Sequence, residues 1–420
     1  MRRLFFIGWV TVLLISGFSG WSQNTSEWKS KLYGFVRADA FYDSRKSAEA
    51  VDGMLLLYPL NTLYDSVGND INNIDQVTMT SISSRIGLKT GGGKIFNSSA
   101  IVQARLEADF TARSNSNSLR MRHAYVQLKW ENHKLLMGRT WHPMFTPDVF
   151  PYTLSINVGA PFNPFNRSPQ LRYTATIKRF SLLAALLYQN DALNLGPDSN
   201  NEIVKRLDLM RNSMIPNIHL QVKYSTELTA IGLFADFKSL RPRNFTTGIV
   251  GLFKTNNTIE SLSTGIYGKV TTGKFCLKAK TMLGQNLTDH LMLGGYAVHK
   301  LDAATGEEIY TASNHSFSWL NFEYGKTFTG GLLIGYSHNL GFSNNIVPIT
   351  NIYARGSDIE YLYRVSPYVK WQSERVELWA ETEITTAAYG DIDYNHRGRV
   401  QNSSEVTNVR VQFSCVYLIM

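Results

Sequence analysis

The sequence predicts an all-β protein: a transmembrane antiparallel β-barrel of about 16 strands with one loop folded inward, within the range of about 8 to 26 strands such barrels use. Three observations predict it. Segments of about ten residues alternate apolar with polar or charged from Leu32 to the C-terminus, a secretion signal precedes them, and short turns alternate with long polar connections. In one segment Val102, Ala104, Leu106, Ala108 and Phe110 share a face, while Gln103, Arg105, Glu107 and Asp109 share the other. Near the end, Val409, Val411, Phe413, Cys415 and Tyr417 oppose Asn408, Arg410, Gln412 and Ser414. A soluble sandwich alternates too, with its apolar face on a core. Here the export signal and the heavily charged polar face put the apolar side in lipid and the polar side around a wet lumen.

The elements follow in chain order. Arg2 and Arg3 form a positive n-region, Leu4 to Ile15 is predominantly apolar, and Gly20-Trp21-Ser22 has the small-x-small form of a signal peptidase site. Residues 1–22 therefore read as a cleaved signal peptide and 23–420 as one barrel domain. Neither Cys276 nor Cys415 lies near the cleavage point, which argues against a lipoprotein. By strand parity Cys276 shares a face with Lys278 and Cys415 with Phe413, which argues against a bridge. Past the signal, the longest apolar run is 182–188. That is far short of the roughly 18 residues a membrane helix needs, but a spanning strand needs only about 9–11. Without Arg2 and Arg3 the 42 basic residues become 40 against 33 acids, a net +7. The charge is dispersed along strands with no Lys/Arg-rich run, so it points to a positive pore and not to nucleic acid.

Strands are expected over 32–43, 76–89, 101–111, 119–130, 134–141, 169–176, 180–188 and 218–224 in the first half. The second half supplies 229–240, 261–272, 275–284, 316–324, 330–340, 360–371, 376–386 and 406–420. Short turns (90–94, 131–132, 272–274, 325–327) fit the periplasmic side, and long polar stretches (44–75, 190–214, 286–315) the outside. An arginine or lysine facing lipid at the midplane costs about 2–4 kcal/mol, which sets the register. Tyr33, Phe35, Arg37 and Asp39 must face inward, with Leu32, Val36, Ala38 and Ala40 outward. Arg85 and Lys89 likewise oppose Ile82, Ile86 and Leu88, and Gln170, Arg172 and Thr174 oppose Leu171 and Tyr173. One strand breaks the pattern. Arg120 and Arg122 share parity with Val126, Leu128 and Trp130, so this strand either bulges or lines the lumen with apolar residues.

The expected pore lining is uneven. The first six strands contribute the basic residues Arg37, Arg85, Arg105, Arg120, Arg122 and Arg172. Acids enter as Glu107 and Asp109 among them, and as Glu377, Glu381 and Glu383 on a late strand. A wall of arginine focuses a positive potential, the way anion-preferring pores are built, unless the acids neutralise it. The stretch 138–174 is the most specific part of the chain. Its prolines and phenylalanines, with Trp141, Phe145, Phe150 and Tyr152, suit a loop of about 142–168 packed inside the barrel, narrowing the pore.

Here the chain resembles the DcaP-like porins, a branch of the trimeric sixteen-strand outer-membrane porin superfamily. The resemblance rests on Gly138-x-Thr140-Trp141, Asp148 with Pro151-x-Thr153-Leu154, and Arg167-x-Pro169-Gln170-Leu171-Arg172-Tyr173-Thr174. Echoes are Tyr33-Gly34-Phe35-Val36-Arg37 with Asp39, Ser84-Arg85-Ile86-Gly87, and Arg120-Met121-Arg122-His123-Ala124-Tyr125. It is detailed over 33–174 and architectural beyond. It implies a homotrimeric channel whose third loop folds inward, a basic eyelet for small anionic solutes such as carboxylates, and the six arginines facing Asp148. Two departures stand out. Only Asn24 to Lys31 separate the cleavage site from the first strand where founding members carry a helical extension, and the chain ends Tyr417-Leu418-Ile419-Met420 instead of on an aromatic residue.

The expected function is passive diffusion of small hydrophilic solutes across the outer membrane of a Gram-negative cell, in contact with membrane lipid and lipopolysaccharide, probed most directly by conductance. Alternatives are an oligosaccharide channel with the loop aromatics as a stacking slide, an adhesive barrel, and an outer-membrane enzyme. No cofactor, metal or catalytic residue is expected. The nine histidines are scattered with no i, i+4 pair of a helical zinc motif. Gly91-Gly-Gly-Lys94 lacks GxxxxGK[ST] spacing and reads as a hairpin turn. Asp236 beside Lys238, and Glu381 beside Glu383, read as solvated lumen charges.

Overall fold

The computed structural model describes residues 28–51, 53–95, 98–112, 118–348 and 350–419; the expected signal peptide lies outside them. Among the described residues, sixteen antiparallel strands close into one barrel. They are β1 (Lys29–Asp43), β2 (Gln76–Thr80 continued by Arg85–Lys94), β3 (Ile101–Asp109), β4 (Arg120–Lys129), β5 (His133–Trp141) and β6 (Arg167–Ile177). Next come β7 (Phe180–Leu187), β8 (Asn217–Ser225), β9 (Thr229–Leu240), β10 (Ile259–Thr272) and β11 (Phe275–Gln285). The circuit ends with β12 (Glu308–Gly325), β13 (Phe328–Phe342), β14 (Ile359–Ser373), β15 (Val376–Asp393) and β16 (Arg399–Ile419). Each pairs with its sequence neighbours, and β16 closes on β1 from Gly34↔Ile419 to Asp43↔Arg410. Closure removes the unpaired sheet edges that hydrocarbon would not tolerate.

The strand parity read from the sequence holds. Leu32, Val36, Ile86, Leu88, Leu106, Leu171 and Tyr173 are exposed on the outer wall, while Asp39, Glu107 and Asp109 are buried inside. Both cysteines are free. The strand with conflicting parity bulges: Glu107 faces His123 but Ala108 faces Met121, leaving Arg122 as the extra residue. A bulge resets the alternation. Arg120 and Arg122 therefore turn inward while Val126 remains on the outer face.

Two boundaries differ from expectation. The second strand is interrupted at 81–84, where the hydroxyl of Ser84 accepts the Arg37 N–H at 3.0 Å and that of Ser83 donates to Asp39 at 3.1 Å. Side-chain bonds there substitute for ladder bonds. The run Gly91-Gly-Gly-Lys94 is not the turn. Gly91 pairs with Gln103, Gly92 with Val102 and Lys94 with Ile101, which moves the turn past Lys94. The glycine at 93 serves packing, because a Cβ there would sit 2.5 Å from the Trp28 ring.

The long connections fold inward instead of standing free. Residues Leu55, Leu57 and Tyr58 from the first, Met144, Val149, Phe162 and Phe165 from 142–166, and Leu287, Met292 and Leu293 from the 286–307 connection form one apolar cluster. They pack on lumen-facing Phe234, Tyr267, Phe317, Trp319, Leu333 and Tyr389. One side of the lumen is therefore a protein core. Gly335 on β13 makes the seat for the loop: a Cβ there would meet the Phe162 ring at 2.5 Å. Gly335→Val should unseat Phe162 at an overpacking cost of about 1–3 kcal/mol. Higher single-channel conductance and protease sensitivity in the loop, with the barrel still folded, are the expected readings.

Candidate functional site

The inward loop starts at a short turn. His142 caps Pro143–Phe145, its Nδ1 accepting the Met144 N–H at 3.2 Å. Burial, reinforced by neighbouring His290, His219, Arg172 and Lys238, holds this imidazole well below its ordinary range and thus neutral. The wall then fixes the loop by hydrogen bonds to its backbone. Buried Lys280 donates to Met144 O and to Asn163 Oδ1, each at 2.8 Å. Arg364 Nη1 reaches Ala160 O at 2.9 Å, Arg37 Nη2 reaches Leu154 O at 2.8 Å, and the Tyr152 N–H meets Asn321 Oδ1 at 2.9 Å.

Glu381 and Glu383 lie here, and not on an open pore wall as the sequence suggested. The N–H groups of Leu154 and Ser155 both donate to Glu381 Oε2, and Asn157 Nδ2 donates to Glu383 Oε1 at 2.8 Å. Each acid is 2% exposed, so the loop covers them and they act as its anchors. Parity gave the face correctly; it carries no information on what covers that face.

Opposite the loop stands the arginine wall. Antiparallel pairing of β2, β3 and β4 brings four guanidinium groups around two carboxylates. Glu107 takes Arg105 at 2.6 Å, Arg122 at 2.8 Å and Arg85 at 3.5 Å. Asp109 takes Arg122 at 2.7 Å and Arg120 at 3.3 Å. Tyr33 ties the group together, donating to Glu107 Oε2 at 2.8 Å and accepting from Arg105 Nε at 2.6 Å. Four positive charges against two negative leave two in excess. Exposure decides which sign the lumen meets: the side chains of Arg85, Arg105 and Arg120 are 27, 26 and 21% exposed, those of Glu107 and Asp109 only 1 and 3%. Guanidinium is thus the exposed sign of this cluster, with the acids covered.

The other two expected arginines have different partners. Arg37 pairs with Asp39 at 2.7 Å besides holding Leu154. Arg172 donates to Trp141 O at 2.6 Å and to Gln170 Oε1 at 2.8 Å. Arg37 thus ties the loop to β1, and Arg172 ties β6 to the end of β5, where the loop begins. Asp148 faces Lys223 on β8 instead of the arginines. Among the aromatics, Trp141 and Phe145 stack at 3.8 Å, Phe150 stacks on Phe145 at 5.2 Å, and Tyr152 leans on Trp379 at 5.2 Å. Phe145 is buried, and the Arg167 guanidinium lies 3.8 Å over Trp141, so this stack pins the loop. Sequence reasoning missed Lys278 and Lys370, whose amines lie 5.5 and 5.2 Å from the Tyr152 ring. Their inward parity was the available signal. A cavity of about 270 Å³ is lined by Glu49, Thr111, Arg120, Asp191, Lys205 and Arg355, among others.

A closed sixteen-strand barrel with an inward loop between β5 and β6 and a charged wall facing it defines the class: this is the outer-membrane porin fold. Among solved structures, the chain is similar to the outer-membrane channel DcaP of Acinetobacter baumannii, with a TM-score of 0.66 at 14% identity, covering 96% of this chain and 100% of that one. It is similar also to OmpT of Vibrio cholerae (TM-score 0.55, 12% identity, 94% and 98% covered) and to an anion-selective porin from Comamonas acidovorans (0.53, 10%, 94% and 100%). At these identities the likeness concerns the fold. No protein-family model and no curated protein matches the sequence.

Proposed function

We propose that this protein is an outer-membrane porin, a water-filled channel for passive diffusion of small hydrophilic solutes with a preference for anions such as carboxylates. The observation that carries the preference is the exposure of Arg85, Arg105 and Arg120 over two covered carboxylates. Guanidinium groups facing a narrow, low-dielectric passage raise the local anion concentration. The similarity in fold to an anion-selective porin agrees with this reading, and a trimer form of the similar OmpT supports a homotrimer. An oligosaccharide slide is less favoured, because Trp141, Phe145 and Phe150 spend their faces on one another and on Arg167.

The test is conductance of the purified protein in a planar bilayer under a salt gradient. Steps in groups of three with an anion-leaning reversal potential, and block by a dicarboxylate but not by maltooligosaccharides, are expected. A folded protein that passes no current, or that leans toward cations, overturns the reading.

A further inference from the structure

We propose that the root of the inward loop carries a site for a divalent transition metal of the zinc type, with His142, His219 and Asp236 as ligands and the His290 ring packed beside it. The three come from the loop, β8 and β9, and are brought together because His219 and Asp236 are direct cross-strand partners while the loop enters above them. Nε2 of His142 lies 3.4 Å, and Nδ1 of His219 3.1 Å, from the same Asp236 oxygen. The three ligand atoms lie within 4.8 Å of one another. Two ligands each about 2.0–2.1 Å from a tetrahedral ion stand about 3.3 Å apart, close to both separations from Asp236. The His290 ring is perpendicular to that of His142 with centroids 4.7 Å apart.

Three further features point to a ligand. Nε2 of His142 and Nδ1 of His290 are fully buried and have no hydrogen-bond partner, a state native structures rarely leave unresolved. The neighbouring cation does not serve Asp236: Lys238 bonds Asp289 at 2.8 Å, Asn194 at 3.0 Å and the Asn286 carbonyl. The Asp236 carboxylate is thus faced by imidazoles. Finally, His219 is oriented as metal-bound histidines are. With Nδ1 directed at the site, its Nε2 lies 3.4 Å from Gln221 Oε1, whose amide is fixed by a 2.7 Å bond to Tyr267. Binding through Nε2 of His142 places that ring's proton on Nδ1, so the long Met144 contact is surrendered. One weak hydrogen bond is a small loss against a set of metal–ligand bonds. Imidazole nitrogens with a carboxylate suit zinc-type ions over calcium or magnesium, which prefer all-oxygen shells. Such an ion would cross-link the loop to β8 and β9 independently of which solute the channel passes.

Because the site is buried, the ion loads as the barrel folds. The test uses the full-length protein twice: as purified from outer membranes, and refolded from urea with equimolar Zn²⁺ or Co²⁺. About one ion per chain by elemental analysis, and the intense visible absorption of tetrahedral Co²⁺, are expected. Occupancy should fall about tenfold or more in His219→Gln and Asp236→Asn. The idea is overturned if the folded wild type retains no ion after both preparations. It is equally overturned if the folded variants bind as well as wild type, since the ion then sits elsewhere, for example at surface His396 beside Asp393. If neither variant folds, the wild-type Co²⁺ spectrum decides, and octahedral bands overturn the site.

Discussion

Replacing Arg105 and Arg120 together by glutamate is expected to convert the channel from anion- to cation-preferring. The cluster of Arg85, Arg105, Arg120 and Arg122 with Glu107 and Asp109 carries two excess positive charges. Two reversals change that by four, to two excess negative charges. Both positions are partly exposed, so the new carboxylates are exposed too, whereas Glu107 keeps Arg122 and Arg85 and Asp109 keeps Arg122. The reversal potential in a salt gradient should change sign, most clearly near 0.1 M salt or below, where the screening length is about 10 Å or more. The neutral pair Arg105→Gln with Arg120→Gln should fall between. An unmoved reversal potential in a folded double variant would show that the arginine wall does not set selectivity.

The barrel was legible in the sequence because lipid enforces a period of two along every strand. One rule, that arginine and lysine avoid hydrocarbon, assigned faces in β1, β2, β3 and β6 correctly. The same rule flagged the conflict at Arg120 and Arg122 that the bulge resolves. What stayed hidden depends on partners distant in sequence. The glycines at 91–93 look like a turn locally, yet Gly93 is small because of Trp28. Glu381 and Glu383 look like pore charges because parity cannot see the amides of Leu154, Ser155 and the Asn157 side chain that cover them. His142, His219 and Asp236 come from three elements with no common spacing, so a motif search tuned to helical ligands passes over them. The inward loop itself was visible from its proline and aromatic content. Its route, held by Arg37 on β1, Lys223 on β8, Lys280 on β11, Arg364 on β14 and Glu381 on β15, was not.

Arg364→Ala is expected to have the largest effect on the width of the channel. This side chain on β14 is 1% exposed and holds two inward segments at once. Its Nη1 donates to Ala160 O in the loop at 2.9 Å and lies 3.4 Å from Glu383; its Nη2 donates to Leu57 O of the first connection at 3.0 Å; its Nε donates to Thr385 at 2.8 Å. Truncation leaves a buried carboxylate and two buried carbonyls short of a donor, a class of change that costs about 3–5 kcal/mol. Since both segments are attached to the wall and are not part of the barrel ladder, they should detach before the strands separate. Conductance should therefore rise and grow noisy, and the loop should become accessible to protease, while the barrel still migrates as folded in unheated gels. Arg364→Lys should not restore the closed state, because one ammonium cannot span the acceptors that the planar fork reaches from a single position. If Arg364→Ala instead lowers barrel stability with conductance unchanged, then Lys280 at Met144 and Asn163, with Glu381 at Leu154 and Ser155, suffices to keep the loop in place.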